Sequence, residues 1–350
     1  MSLANTLTQN LRTQYMGTLD KNERRPSRYG AWDFIKDDTN VVGGVMDNDM
    51  REKIKRSFGN TVQVPVLDAE TVTISDTRSC TVADDENTSK LVTLSFKTLS
   101  FGFTMAPRQH FNNDIDYQAD FDAKLKKYLL QLAVVLDTDS LAEMENQKNI
   151  FWDVLTDYYS QVGNALQVPA ADQDDYYNKL TAIMETADFY GATKIVSNTQ
   201  GSPQVRRLDN QGSNNGTNQS FQMSPYEWYW TNRLLNGGGV ENTQYAIQEG
   251  SMAFETRVDP DSMMRSRSTS GKEWDVVEMP IPGSIHTLQM GSIFSSDCAD
   301  LSSLHAGTTG LTASLKQSFQ FSTDVVYVTA YNSDPSNRYS PIIKVEQTTA

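Results

Sequence analysis

The stretch "NNDIDYQADFDAKLKKYLLQLAVVLDTDSLAEMENQKN", residues 112–149, decides the reading. Phe121, Leu125, Tyr128, Leu129, Leu132 and Leu136 recur at helical spacing and leave one narrow apolar stripe. Asp114, Asp116, Asp120 and Asp122 load the first turns, where the helix dipole favours negative charge. Neither proline nor glycine interrupts residues 112–161. The spacing predicts a helix of about 30 residues, roughly 45 Å long at 1.5 Å per residue. That is about three times the usual length in a compact domain. The stripe thins toward Leu141 and Met144, which makes 137–140 a candidate break.

Upstream, "TVQVPV" from Thr61 alternates, with Val62, Val64 and Val66 on one face. "TVTIS" follows, then a polar tip, "DTRSCTVADDENTSK", holding Asp84, Asp85, Glu86 and Lys90. "LVTLSFKTLSFGFTM" then returns as a second extended run. Two β-branched, aromatic runs around a turn-rich tip predict a long hairpin. Each strand spans about 35–45 Å at ~3.3 Å per residue. On the return run Val92, Leu94 and Phe96 share one face, whereas Leu99, Phe101, Phe103 and Met105 share the other. This change of phase implies a bulge or a transfer between sheets near Thr98. Pro65 marks the outgoing strand as an edge.

Residues 1–60 are polar and weakly periodic, and read as an arm lying along something else. "KNERRPSR" places Arg24, Arg25 and Arg28 in it, and "DNDMREKIKRSFGN" predicts a short helix with Ile54 and Phe58 on one face. Downstream, Tyr176, Leu180, Ile183 and Ala187 predict a helix before the extended "TKIVS". Residues 198–220 read as a soft loop. "SPYEWYWTNRLLNGGG" carries a capping box at Ser224 and Glu227, Pro225 in the first turn and a glycine stop, which predict a helix. From Gln244 on the chain reads as short strands, ending in a strand pair, "QSFQFSTDVVYVTAY" and "SPIIKVE".

Composition narrows the function. The 350 residues carry a formal net charge of −14, with 38% hydrophobic residues. The pI is near 4.7 and the mean hydropathy −0.51. So acidic a surface repels nucleic acid and anionic membrane. The core is lean for the length, which suits arms and loops that complete their burial on other subunits and equally suits an ordinary loop-rich protein. Cys80 and Cys298 make neither a disulfide framework nor a zinc site by themselves. No secretory h-region opens the sequence, and no apolar run reaches the length of a membrane span.

Chemistry-bearing motifs are missing: no phosphate loop, no dinucleotide fingerprint and no nucleophile elbow. His110, His286 and His305 have no partner at metal spacing. The reading assigns no catalytic residue, metal or cofactor.

The order of parts is a polar arm with a basic patch, a long hairpin with a charged tip, a long lone helix, an α/β region and final strands. It resembles the major capsid protein of tailed phages, the Hong Kong 97-like fold of the α+β class. The resemblance implies an N-terminal arm at 1–60, an extended loop at 61–103 and a spine helix near 113–147. It implies a peripheral domain from 104–170 and 319–350, and an axial domain at 171–318. It further implies self-assembly as hexamers and pentamers into an icosahedral shell. The shell would enclose double-stranded DNA without sequence-specific binding, with portal and scaffolding or decoration proteins as partners and no membrane. The place would be the virion, after assembly in the host bacterial cytoplasm.

On this reading the expected intersubunit contacts are Arg24, Arg25, Arg28, Val62, Val64, Val66, Asp84, Asp85, Glu86, Lys90, Val92, Leu94 and Phe96. Some family members join subunits by a lysine–asparagine bond. Lys90 is the donor candidate near the tip, no acceptor is identified, and no cross-link is predicted. The rival readings are a soluble carboxylate-based hydrolase, or a tail or portal component.

Overall fold

A computed structural model describes residues 29–67, 89–107, 117–152, 157–213, 226–258, 272–299, 314–330 and 339–349. The first described helix, α1 (Gly30–Asp38), corrects the arm reading for its own span. Trp32, Phe34 and Ile35 are fully buried, so a stretch that reads as polar in its flanks is a core helix. Next, α2 (Asn48–Arg56) is capped by Asp47, whose carboxylate accepts from the Met50 N–H at 2.7 Å. Ile54 is buried, whereas Phe58 lies beyond the helix and is 84% exposed, against the expected shared face.

The hairpin strands are β1 (Thr61–Leu67) and β2 (Ser89–Ser95), paired antiparallel. After Phe96 the chain becomes β3 (Lys97–Met105) and pairs in a different sheet. The change of apolar phase is therefore a transfer between sheets, two residues before Thr98.

The long helix, α3, runs unbroken over Tyr117–Gln147, 31 residues. No break occurs at 137–140. The hydroxyls of Thr138 and Ser140 donate back to the carbonyls of Val134 and Leu136, each at 2.8 Å, and the Asp137 carboxylate finds partners outside the helix. Polar side chains satisfied in this way bend a helix at most slightly.

Short strands β4 (Ser160–Val162) and β5 (Ala165–Val168) follow. Then come α4 (Tyr176–Thr186), β6 (Thr193–Asn198) and α5 (Ser202–Ser213). Helix α5 lies inside the expected soft loop, with Leu208 buried. The capped stretch at 224–239 is corrected more sharply: among its described residues Glu227–Thr231 form a strand, β7, parallel to β6, and no helix follows it. "EWYWT" has a period of two. Trp228 and Trp230 stack on each other, and Tyr229 turns to the opposite side against Phe34. Pairing of an aromatic run with a buried strand outweighs a local capping signal.

The remaining strands are β8 (Val240–Gln248), β9 (Met252–Arg257), β10 (Lys272–Pro280), β11 (Thr287–Ala299), β12 (Ser314–Thr329) and β13 (Ile342–Thr348). They form two larger sheets. One runs β10-β11-β12-β3, with β9 also on β12. The other runs β4-β5-β13-β8-β6-β7. Strand β12 switches partner along its length: residues 314–322 pair with β11 and 324–329 with β9, while β3 holds the other edge over 317–325.

These pairings join segments far apart in sequence. Strands β9, β10 and β11 lie in the sheet that holds β12 and β3, and strands β4, β5 and β13 lie in the sheet that holds β6, β7 and β8. The final two strands, β12 and β13, belong to different sheets and do not pair with each other, against the expected strand pair. Pairing between distant segments leaves no trace in local patterning.

Alternation along β12 divides the core. Phe319, Phe321, Val325 and Tyr327 join the cluster on α3, whereas Val326 and Val328 face a separate cluster with Ile54 and Val62. On α3, Phe121, Leu125, Leu129, Leu132 and Leu136 are buried, and Tyr128, 36% exposed, stacks on Phe101. Helix α4 covers the opposite face of the six-stranded sheet, packing Leu180 and Ile183 with Ile195, Ala246 and Ile343.

Candidate functional site

The hairpin is where the sequence places function, and its root is the part described. The pairs Val62↔Leu94 and Val64↔Val92 put four apolar side chains on one face of the ribbon. That face does not point at a free surface. Val62, 4% exposed, packs with Met46, Ile54, Ala253, Val326 and Val328, and Val64, Leu94 and Phe96 lie against the same cluster. A root strand with an alternating pattern here covers the nearest apolar surface, its own chain, and Val64, Leu94 and Phe96 stay partly exposed. Val92 is partly buried beside them. The opposite face carries Thr61, Gln63, Pro65, Leu91, Thr93 and Ser95, all exposed, Leu91 by 63%.

Val66 and Lys90 are partners near the described ends of the two strands. Arg24, Arg25, Arg28, Asp84, Asp85 and Glu86 lie outside the described residues, as do Cys80, His110 and His305. Cys298 falls in β11.

Sequence reading missed a set of buried charges around α1. Asp137, on the buried face of α3, accepts from the N–H groups of Ala31 (3.0 Å) and Trp32 (3.3 Å) and from the Thr231 hydroxyl (2.6 Å). It thus caps the N-terminus of α1 from another helix, where a negative charge complements the dipole. Burial raises its pKa, and these hydrogen bonds only partly offset the rise. At the other end of α1, Asp38 accepts from the N–H groups of Gly250 (2.8 Å) and Met252 (2.9 Å). Its pKa is also raised by burial. Lys194 lies 3.5 Å from Asp38 and 3.1 Å from Glu249.

Gly250 and Met252 bracket the turn where the chain leaves the six-stranded sheet for the five-stranded one, so α1 bolts the two sheets together. A charged residue on the apolar stripe of a long helix is the signal that would have found Asp137.

Nearby, His286 Nε2 lies 3.1 Å from Asp37 Oδ1, with its ring edge-on to Trp32. Burial would raise the Asp37 pKa, but the neighbouring His286, the Tyr229 hydroxyl that donates to Asp37 and the charge of Lys194 together outweigh it and lower the pKa. The strongly buried carboxylates here hold backbone N–H groups, which uses their acceptor capacity on the fold. Among the described residues no group of three or more His, Cys, Asp or Glu is placed to hold a metal ion. No described helix is long and apolar enough to cross a membrane.

A second charged node sits at the hairpin root. Arg257, at the end of β9, is 5% exposed. Its Nε donates to Asp324 Oδ2 at 3.2 Å. Its Nη1 donates to Ser57 O (2.8 Å), Ser57 Oγ (2.9 Å) and Gly59 O (2.8 Å). The guanidinium lies 4.0 Å over the Phe96 ring.

Solved structures from phages, two of the three named here described as capsids, are similar to this chain over most of its length. "Mycobacterium phage Adephagia" shares 12% identity at a TM-score of 0.47, covering 100% of this chain and 99% of that one. The mature capsid of bacteriophage PhiM1 shares 11% at 0.46, covering 89% and 90%. The capsid of Myoviridae phage XM1 shares 11% at 0.43, covering 93% and 94%. No family model and no curated relative matches the chain.

Proposed function

We propose that this chain is the major capsid protein of a tailed phage, a structural subunit that assembles with its own copies as hexamers and pentamers. The observation that carries the reading is the helix α3. It lies whole along the five-stranded sheet, and a two-stranded ribbon leaves the same sheet where β3 begins. A projecting two-stranded ribbon is marginal in water and gains order when laid across another subunit. Its root is anchored on its own chain, so the exposed outer face and the portion beyond Leu67 and Ser89 are the parts that reach a neighbour.

In this assignment α3 and the five-stranded sheet form the peripheral domain, and the six-stranded sheet with α4 and α5 forms the axial domain. The net charge of −14 suits a container whose wall does not hold the double-stranded DNA inside it. Portal and scaffolding or decoration proteins are the remaining partners, and the virion, assembled in the host cytoplasm, is the place.

Electron microscopy of the purified, concentrated chain tests this. Closed shells, or hexamers and pentamers, are expected. A persistent monomer that turns over ester, glycoside or peptide substrates would place it instead among carboxylate hydrolases.

A further inference from the structure

We infer that Arg257 is a latch that sets the exit angle of the hairpin. The chain enters the ribbon through Ser57 and Gly59 and leaves it through Phe96. One guanidinium touches all three, through Nη1, whose two hydrogens are shared among three oxygens of Ser57 and Gly59 on the entry side, and through a cation–π contact on the exit side. Its other edge is fixed on Asp324 by Nε and Nη2.

Asp324 lies in β12 at the register where β9, β12 and β3 are all paired, opposite Arg257 and Thr98. Thr98 donates to the free oxygen of the same carboxylate at 2.7 Å. The anchor is therefore the rigid middle of the five-stranded sheet, and what is anchored is both roots of a two-stranded ribbon.

Among the described residues the rest of the contact between ribbon and body includes an apolar cluster, in which Val62, Val64 and Leu94 meet Ile54, Ala253, Val326 and Val328, and apolar contact is non-directional. Hydrogen bonds from a planar, five-donor fork supply the direction. Lysine at this position would keep the charge on Asp324, but as a point donor it would not hold Ser57, Gly59 and the ring together. The latch belongs to the single chain and stands apart from the capsid reading.

Hydrogen exchange followed by mass spectrometry on the full chain tests it, on the Arg257→Lys and Phe96→Leu variants. The expected result is a tenfold or greater acceleration for amides in 61–67 and 89–95, with those of 99–103, 317–325 and the helix α3 unchanged. Unchanged ribbon exchange in both variants overturns the latch. So does acceleration spread equally over ribbon, sheet and helix, including outright unfolding of both variants, because it would make Arg257 an ordinary core contact. Shell formation is not part of the readout, so the latch and the capsid assignment fail separately.

Discussion

Phe121 of α3 meets Phe319 of β12 edge to face, with ring centroids 5.1 Å apart at 69°. The two residues belong to opposite halves of the chain, and Phe103 of β3 touches both rings. This triangle ties helix, return strand and hairpin exit into one unit.

The apolar stripe of α3 therefore bears the stability of that unit. Leu132, 6% exposed, should lose about 2–5 kcal/mol on truncation to Ala, from lost transfer energy and the cavity left behind. Lys127, on the exposed face, should change stability by less than ~0.5 kcal/mol when replaced by Ala. Urea unfolding of the two variants checks the contrast.

Gly30 opens α1 against the backbone of β7. A Cβ there would stand 2.5 Å from the Trp230 carbonyl oxygen and 2.6 Å from its nitrogen, neither of which is a flexible side-chain end. Gly30→Ala is expected to destabilise by about 1–3 kcal/mol, as overpacking does. A thermal melt is the direct measurement, and an unchanged midpoint would mean that α1 and β7 part freely.

Asp137 makes stability depend on pH with an unusual sign. Its folded pKa lies above the ordinary carboxylate range, so the folded state keeps this proton after the unfolded state has released it. Its contribution is fully present below the ordinary range and is lost as pH rises from there through the raised value. Asp38 acts in the same sense, and Asp37, with its lowered pKa, in the opposite one. Asp137→Asn should remove part of the decline that sets in as pH rises above about 4. Urea midpoints taken across that range for both proteins check it, and parallel curves would speak against the assignment.

The basic patch at Arg24, Arg25 and Arg28 is expected to pair with carboxylates of an adjacent copy, where the guanidinium fork makes two-point contacts. Replacing all three by Glu should reduce assembly yield more at low salt than at high salt, because screening weakens such contacts. Light scattering against ionic strength reads this, and an equal yield at every salt concentration would remove the idea.

Much of this architecture is legible in the residues, because long periodic segments announce themselves. The α3 stripe, the parity change at Phe96 and the split of Val325 and Tyr327 from Val326 and Val328 all follow from side-chain period alone. The failures share a cause. Helix α1 is short and packs by being enclosed from all sides, so it shows no stripe. The helical reading of 224–239 weighed caps at Ser224 and Glu227 above the period of two in Trp228 and Trp230. The contact of the hairpin root with its own chain is not legible, because its partners, Ala253 and Val326, lie far along the sequence. Asp137 was passed over as one of several polar residues at a weak point. Its partners, Ala31 and Thr231, sit on either side of it in sequence and are joined to it only by the fold.

The enclosure of α1 bears on how the chain comes off the ribosome. Trp32, Phe34 and Ile35 emerge long before their partners, for their cluster includes Met252, Phe254, Met279 and Ile342. The cap at Asp38 needs the turn at Gly250, and the sheet beneath needs β13. Loop closure over such spans is slow, and this core cannot seal until β13 has been made. An apolar helix thus waits unshielded while residues 39–341, which lie between it and β13, are added. The expected consequence is dependence on a chaperone that holds nascent chains: depleting it should send the newly made protein into aggregates while leaving protein that has already folded unharmed.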